Sequence, residues 1–205
     1  MNYLILSPGR SGSVMLARYL AQYLDKTYIH INEYTDNLDN CVLHVHSVEL
    51  AKKYNNYQIL LIKRSPVEIA ASIMIANITS TFHFSRDDSD LINTVKREDY
   101  IKQYENTQFE IDIVEYLKMV QYFIDWYISA EDIMKNSIQF LYHEAININA
   151  INYKLNLKKI PTDDFSLPLS QPWDKWDKIK DGQTIKAAGD KLLLPYIKRH
   201  KNIFA

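Results

Sequence analysis

Short apolar runs alternate along the chain with longer segments whose apolar residues recur at helical spacing. YLILS (3–7), TYIHI (27–31), CVLHV (41–45), QILLIKR (58–64) and SIQFLYHE (137–144) read as strands. QILLIK is apolar throughout and ends in charge, as in a strand covered on both faces of a parallel sheet. Between them, residues 13–25 place Met15, Leu16, Tyr19, Leu20 and Tyr23 on one helical face. Ser47 is set to cap a short helix carrying Val48, Leu50 and Ala51. In SPVEIAASIMIA, Ser65 is an N-cap, Pro66 occupies the first helical position and Glu68 stands where a capping box needs it. A long amphipathic helix is predicted over about 110–135, a shorter one over NINAINYKL (147–155), and a last one over about 183–200. Residues 77–108 read as an irregular excursion, and 160–182, with Pro161, Pro168 and Pro172, as a loop.

Strands alternating with helices predict an α/β layered fold with a mostly parallel sheet. A chain of 205 residues with 47 % hydrophobic content is long enough for one well-buried core, so one domain over 1–205 is expected. A formal net charge of −1 provides no field to draw nucleic acid or an anionic membrane, and any anion site must be built locally. The single Cys41 excludes an internal disulfide framework and fits a reducing compartment. Pro8, Gly9, Arg10, Ser11 and Gly12 interrupt the N-terminal apolar run, so it does not read as a secretory signal. No apolar stretch approaches the ~20 residues that span a bilayer. These features predict a soluble, cytoplasmic protein, and the Ile, Asn, Lys and Tyr bias points to an AT-rich phage or bacterial source.

Ligands of such folds bind beyond the carboxyl ends of the strands. After the first strand comes Pro8-Gly9-Arg10-Ser11-Gly12-Ser13, leading straight into a helix. Free N–H groups of a tight turn and a helix start cradle phosphate or sulfate. Gly9 and Gly12 allow close approach, the two serines donate hydroxyls, and Arg10 supplies charge. The Gly-Lys-Ser/Thr ending of a nucleoside-triphosphate loop is missing, which disfavours a P-loop kinase. After the fourth strand stands Arg64, with Ser72 eight residues beyond it on the next helix. A surface arginine and a packing serine would explain either residue alone; with the first loop, the pair reads as a second phosphate grip.

With these motifs the chain resembles the sulfotransferases that use 3′-phosphoadenosine 5′-phosphosulfate (PAPS). SPGRSGSVML is similar to their 5′-phosphosulfate loop, closer to the Arg-Ser-Gly-Thr form than to the Lys-Ser-Gly-Thr form. IKRSPVEIAAS is similar to their 3′-phosphate motif. LYHEAI resembles their Tyr-Glu-Asp-Leu segment, departing at His143 and Ala145, and WDKIKDGQTIKAAGDKLL resembles the ending of bacterial members. The Arg-Lys-Gly segment of cytosolic members is absent. The resemblance implies a three-layer sandwich of P-loop nucleotide-hydrolase-like type. It implies transfer of a sulfuryl group from PAPS to a hydroxyl of a small molecule, carbohydrate or peptide tyrosine, leaving 3′,5′-adenosine bisphosphate (PAP). No metal requirement, nucleic acid or membrane partner is expected, and the oligomeric state stays open. Arg10, Ser11, Gly12, Ser13 and Val14, following Pro8 and Gly9, would hold the 5′-phosphosulfate. Arg64 and Ser72 would bind the 3′-phosphate, and Tyr142 would approach the adenosine.

Two residues compete for the role of general base. His46 stands where cytosolic members carry a catalytic histidine, and an ordinary imidazole pKa of ~6.5 suits it. Glu33 stands close to where other members carry a catalytic glutamate. His44 is expected to face away from His46 as a hydrogen-bonded core residue. Asp125-Trp126-Tyr127 reads as core; Trp173 and Trp176 fit either an acceptor pocket or packing; His83 and Arg86 are candidate acceptor contacts. A non-catalytic phosphate-binding module is the remaining alternative: it keeps Arg10, Arg64 and Ser72 and needs no base.

Overall fold

A computed structural model describes residues 2–36, 38–81, 83–85, 94–157 and 174–204. The chain divides into two compact units, one of residues 1–64 and 126–167 and the other of 65–125 and 168–205.

The first unit is built on a five-stranded sheet. Its strands are β1 (Tyr3–Leu6), β2 (Thr27–His30), β3 (Cys41–Val45), β4 (Gln58–Lys63) and β7 (Ile138–Leu141), in the order β2-β3-β1-β4-β7. All four pairings are parallel. The apolar runs are explained by burial: every residue of β1 and β3 is buried, and Leu60, Leu61 and Ile62 of β4 are inaccessible. Side chains alternate between faces along each strand. Tyr3, Ile5, Val42, Leu60, Ile62 and Phe140 therefore meet helix α1 (Ser13–Tyr23) through Met15, Leu16, Tyr19 and Leu20. Each such aliphatic side chain contributes roughly 1.5–3 kcal/mol by leaving water. Helices α7 (Tyr142–Ala145) and α8 (Ile148–Leu155) join this layer through Ala145 and Ile151. Helix α2 (Val48–Lys52) starts as expected at Ser47, whose hydroxyl accepts the Leu50 N–H at 3.1 Å. Strand β1 pairs with β3 on one side and β4 on the other, so the chain's winding reverses between β1 and β4. In open parallel sheets that reversal leaves a crevice at the strands' carboxyl ends.

The second unit contains α3 (Pro66–Thr79), a two-stranded parallel ladder of β5 (His83–Ser85) and β6 (Thr94–Lys96), α4 (Arg97–Tyr104), α9 (Lys175–Lys178), α10 (Gly182–Arg199) and α11 (Lys201–Phe204). Helix α5 (Ile113–Ser129) begins in this unit and passes into the first at Trp126; α6 (Glu131–Lys135) follows it. Five sequence expectations change. The loop predicted over 160–182 holds helix α9. The helix predicted over 110–135 is broken at Ala130, whose N–H meets the carbonyls of both Trp126 and Tyr127. Residues 77–108 are not irregular throughout, since they hold the end of α3, both short strands and α4. The strand predicted over 137–144 stops at Leu141, whose N–H is taken by the Glu144 carboxylate at 2.7 Å, turning the chain into α7. Glu68 forms no capping box: its carboxylate receives the Lys175 ammonium and, at 2.9 Å, the Trp176 indole N–H. No helix among the described residues is long and apolar enough to cross a membrane.

Candidate functional site

The loop between β1 and α1 lies at the carboxyl end of the sheet. Gly9 (φ +77°), Arg10 (φ +46°) and Gly12 (φ +80°) all adopt left-handed backbone. A residue other than glycine there costs on the order of 1–3 kcal/mol, and such strain gathers at ligand clamps. Gly12 needs its missing side chain for a second reason: a Cβ would lie 2.6 Å from Ile146 Cγ2 and 3.7 Å from the Tyr142 ring. Ser11 is fully buried, and its Oγ has no hydrogen-bond partner among the described residues. A buried, unsatisfied hydroxyl costs about 1–3 kcal/mol, and an anionic oxygen in the loop would accept its proton. Ser13 begins α1 and is buried; Pro8 is buried and Val14 half-buried.

Arg64, just past β4, closes over this loop. Its guanidinium donates to the Arg10 carbonyl and sits 4.2 Å above the centre of the Tyr142 ring. Its backbone is gripped by one phenol: the Tyr127 hydroxyl accepts the Arg64 N–H at 2.8 Å and donates to the Arg64 carbonyl at 2.9 Å. Burial pushes the Tyr127 hydroxyl well above its ordinary pKa, so it remains a donor.

His46 follows β3. Its Nδ1–H donates to the Ser7 carbonyl at 2.8 Å, which leaves the lone pair on Nε2. The ring's Cε1 is 3.9 Å from where a Cβ on Gly9 would stand, so the imidazole borders the loop. Burial lowers its pKa against the opposing pull of the Ser7 carbonyl, and His30 lowers it further. The ring is thus neutral and basic near neutral pH. The His46 carbonyl accepts the Trp126 indole N–H at 2.7 Å.

His44 does not face away from His46. Residues two apart on a strand share a face, and the two rings meet edge to face with centroids 4.6 Å apart. His44 is fully buried, its Nδ1 3.2 Å from the Tyr28 hydroxyl and its Nε2 3.4 Å from Ser7 Oγ. A third imidazole, His30, stacks on His44 at 4.7 Å and lies 5.1 Å from His46.

Arg10, Ser11, Gly12, Arg64, Tyr142 and His46 are thus gathered in the first unit. Glu33 is exposed in the connection between β2 and β3. Ser72 is buried on α3, in the second unit. His83 falls on β5, and Arg86 and Trp173 lie outside the described residues. Trp176 is buried in its own unit with its N–H on Glu68.

Solved structures similar to this chain include two sulfotransferases. One is a mouse sulfotransferase, SULT7A1, complexed with PAP: 17% identity over 78% of this chain, with a TM-score of 0.46. The chain spans 61% of that enzyme's length. The other is a sulfotransferase from Alicyclobacillus acidocaldarius: 15% identity over 96% of this chain and 95% of that one, with a TM-score of 0.47. No protein-family model and no curated protein matches the chain.

Sequence reasoning misses three residues here. Trp126 and Tyr127 read as core, and they are buried, yet each also clamps a strand end that carries a polar residue of the site. Their side chains expose no periodicity signal for this second role. His30 is missed because only the β2–β3 register, which sets it beside His44, brings it to the cluster.

Proposed function

We propose that this chain is a PAPS-dependent sulfotransferase acting on a hydroxyl of a small molecule, a carbohydrate or a peptide tyrosine. One observation carries the reading: a strained glycine-serine loop, whose buried Ser11 hydroxyl has no hydrogen-bond partner among the described residues, stands between an arginine and a neutral imidazole at the reversal point of a parallel sheet. Ser11 Oγ, the N–H groups of residues 9–14 and Arg10 suit the 5′-phosphosulfate, whose charge moves to the departing phosphate oxygen during transfer. Arg64 is assigned to the 3′-phosphate and Tyr142 to the adenosine. The assignment of Ser72 rests on the resemblance of IKRSPVEIAAS alone.

In the proposed reaction the acceptor oxygen forms a bond to sulfur while the bond from sulfur to the phosphate oxygen breaks. PAP leaves with that electron pair, and the acceptor proton passes to His46 Nε2. His46 is favoured over Glu33 because its ring borders the loop with a fixed tautomer, whereas Glu33 is exposed in a connection.

Thermal unfolding with PAP, against magnesium-ATP, tests the donor. Ligand at ~100 times its Kd stabilises by about 2.7 kcal/mol, a shift of roughly 5–10 °C for a chain of this size. The shift should disappear in Arg64→Ala. His46→Asn should retain it while turnover falls ~10²–10⁴-fold, the usual worth of a general base. No shift with PAP, or a larger one with magnesium-ATP, overturns the reading. Turnover unaffected by His46→Asn removes His46 as the base.

A further inference from the structure

The catalytic reading uses one imidazole and leaves two beside it unexplained. His30, His44 and His46 each bring a ring nitrogen within 4.8 Å of one another, with no carboxylate or thiolate among them. Strand register brings the first two together, His30 being paired directly with His44 across β2 and β3, and His46 stands two residues beyond His44, just past the end of β3. His44 and His46 are fixed by the sheet and by their hydrogen bonds, while His30 is exposed on edge strand β2 and offers a way in.

We propose that His30, His44 and His46 form a binding site for a borderline transition-metal cation of the Zn²⁺ class. Three neutral nitrogen donors suit Zn²⁺, Co²⁺, Ni²⁺ or Cu²⁺ rather than Mg²⁺ or Ca²⁺, which take oxygen ligands. Tetrahedral coordination with bonds of ~2.0–2.1 Å places ligand nitrogens about 3.3 Å apart. The rings are therefore slightly open, and modest rotation, chiefly of the exposed His30, closes the set. Two of the three rings already have the surroundings that metal-bound histidines require, in which the second nitrogen is held by a hydrogen-bonding group, and Ser7 Oγ lies 3.4 Å from the His44 Nε2 left for the metal. The Ser7 carbonyl holds His46 Nδ1 at 2.8 Å, and the Tyr28 hydroxyl stands 3.2 Å from His44 Nδ1. Three protein ligands leave a fourth position for water.

The consequence for activity rests on the sulfotransferase reading. A metal on His46 takes the lone pair that would receive the acceptor's proton, so the site is inhibitory. Occupancy by a scarce cation would switch the enzyme off without touching the anion loop.

Titration with Co²⁺ alone tests the site on tag-free, EDTA-stripped protein, because four-coordinate Co²⁺ absorbs far more strongly in the visible than the aquo ion. One equivalent should give that absorption and be displaced by Zn²⁺. His30→Ala should bind about tenfold or more weakly while keeping the PAP-induced thermal shift of the parent. With PAPS as donor, Zn²⁺ should inhibit the parent and spare His30→Ala at the same concentration. Absence of the visible band, or equal Co²⁺ affinity in His30→Ala, overturns the metal site. A saturated band with undiminished turnover overturns the inhibitory role. Failure of PAP to bind while the band forms defeats the sulfotransferase reading and leaves the metal site standing.

Discussion

Gly12→Ala is the substitution whose cost is most directly computed from the loop. At φ +80° and ψ 7° the backbone is left-handed, which costs an L-residue about 1–2 kcal/mol. The new Cβ would stand 2.6 Å from Ile146 Cγ2, against an optimum carbon–carbon separation of ~3.5–4.0 Å. Relieving an overlap of about 1 Å in a packed layer costs typically 1–3 kcal/mol. Alanine also restricts the unfolded chain, which returns about 0.4–1 kcal/mol. The net loss is about 1–5 kcal/mol, and it should appear in urea unfolding as a lower midpoint at unchanged slope. Combining the substitution with Ile146→Ala separates the two causes. The steric part disappears in that background, so Gly12→Ala should then cost about 0–1.6 kcal/mol. An equal cost in both backgrounds would refute the Ile146 contact as its source. A neutral Gly12→Ala would refute the left-handed loop itself.

Three other outcomes follow from single contacts. Tyr127→Phe withdraws both hydrogen bonds from the Arg64 backbone; it should cost about 1–3 kcal/mol and weaken PAP binding measured by calorimetry. Glu68→Ala takes the carboxylate away from the buried Lys175 ammonium, which keeps the Glu68 carbonyl at 3.3 Å, and should cost about 1–3 kcal/mol in urea unfolding, whereas Glu68→Leu with Lys175→Met recovers most of it. Glu144 is partly buried, which opposes ionisation, but the Lys154 ammonium and the Leu141 N–H outweigh that and hold its pKa below the ordinary value. Because the folded pKa is the lower one, this stabilisation is present above the unfolded value of ~4.3 and is lost as pH falls through the folded value. Glu144→Gln should therefore flatten the acid limb of the melting temperature between about pH 5 and 3.

The layered α/β plan is legible along the chain because burial on both faces leaves a plain mark. YLIL, CVLHV and QILLIK are dominated by apolar residues because these strands are buried in the sheet, and α1 and α3 show their starts in Gly12-Ser13 and Ser65-Pro66. The phosphate-type loop is legible for a similar reason: glycines and serines between an apolar strand and a helix satisfy a local backbone need. Ends and breaks are less so. The stop at Leu141 depends on a Glu144 bond that competes with strand continuation, and no residue type at Ala130 announces the break between α5 and α6.

What the tertiary structure alone decides is which distant residues meet. Trp126 and Tyr127 follow the same helical spacing as their core neighbours, and only the docking of that helix end puts an indole N–H on His46 and a phenol on Arg64. Glu68 has the position of a cap, but Lys175 and Trp176 offer its carboxylate charge and an indole N–H, and the stronger partners win. The histidine cluster makes the distinction plainest. The period of two that puts His44 and His46 on one face contradicts the sequence expectation that they point apart, and His30 joins them only because β2 pairs with β3 in that register, which hydrophobic alternation along one strand does not record.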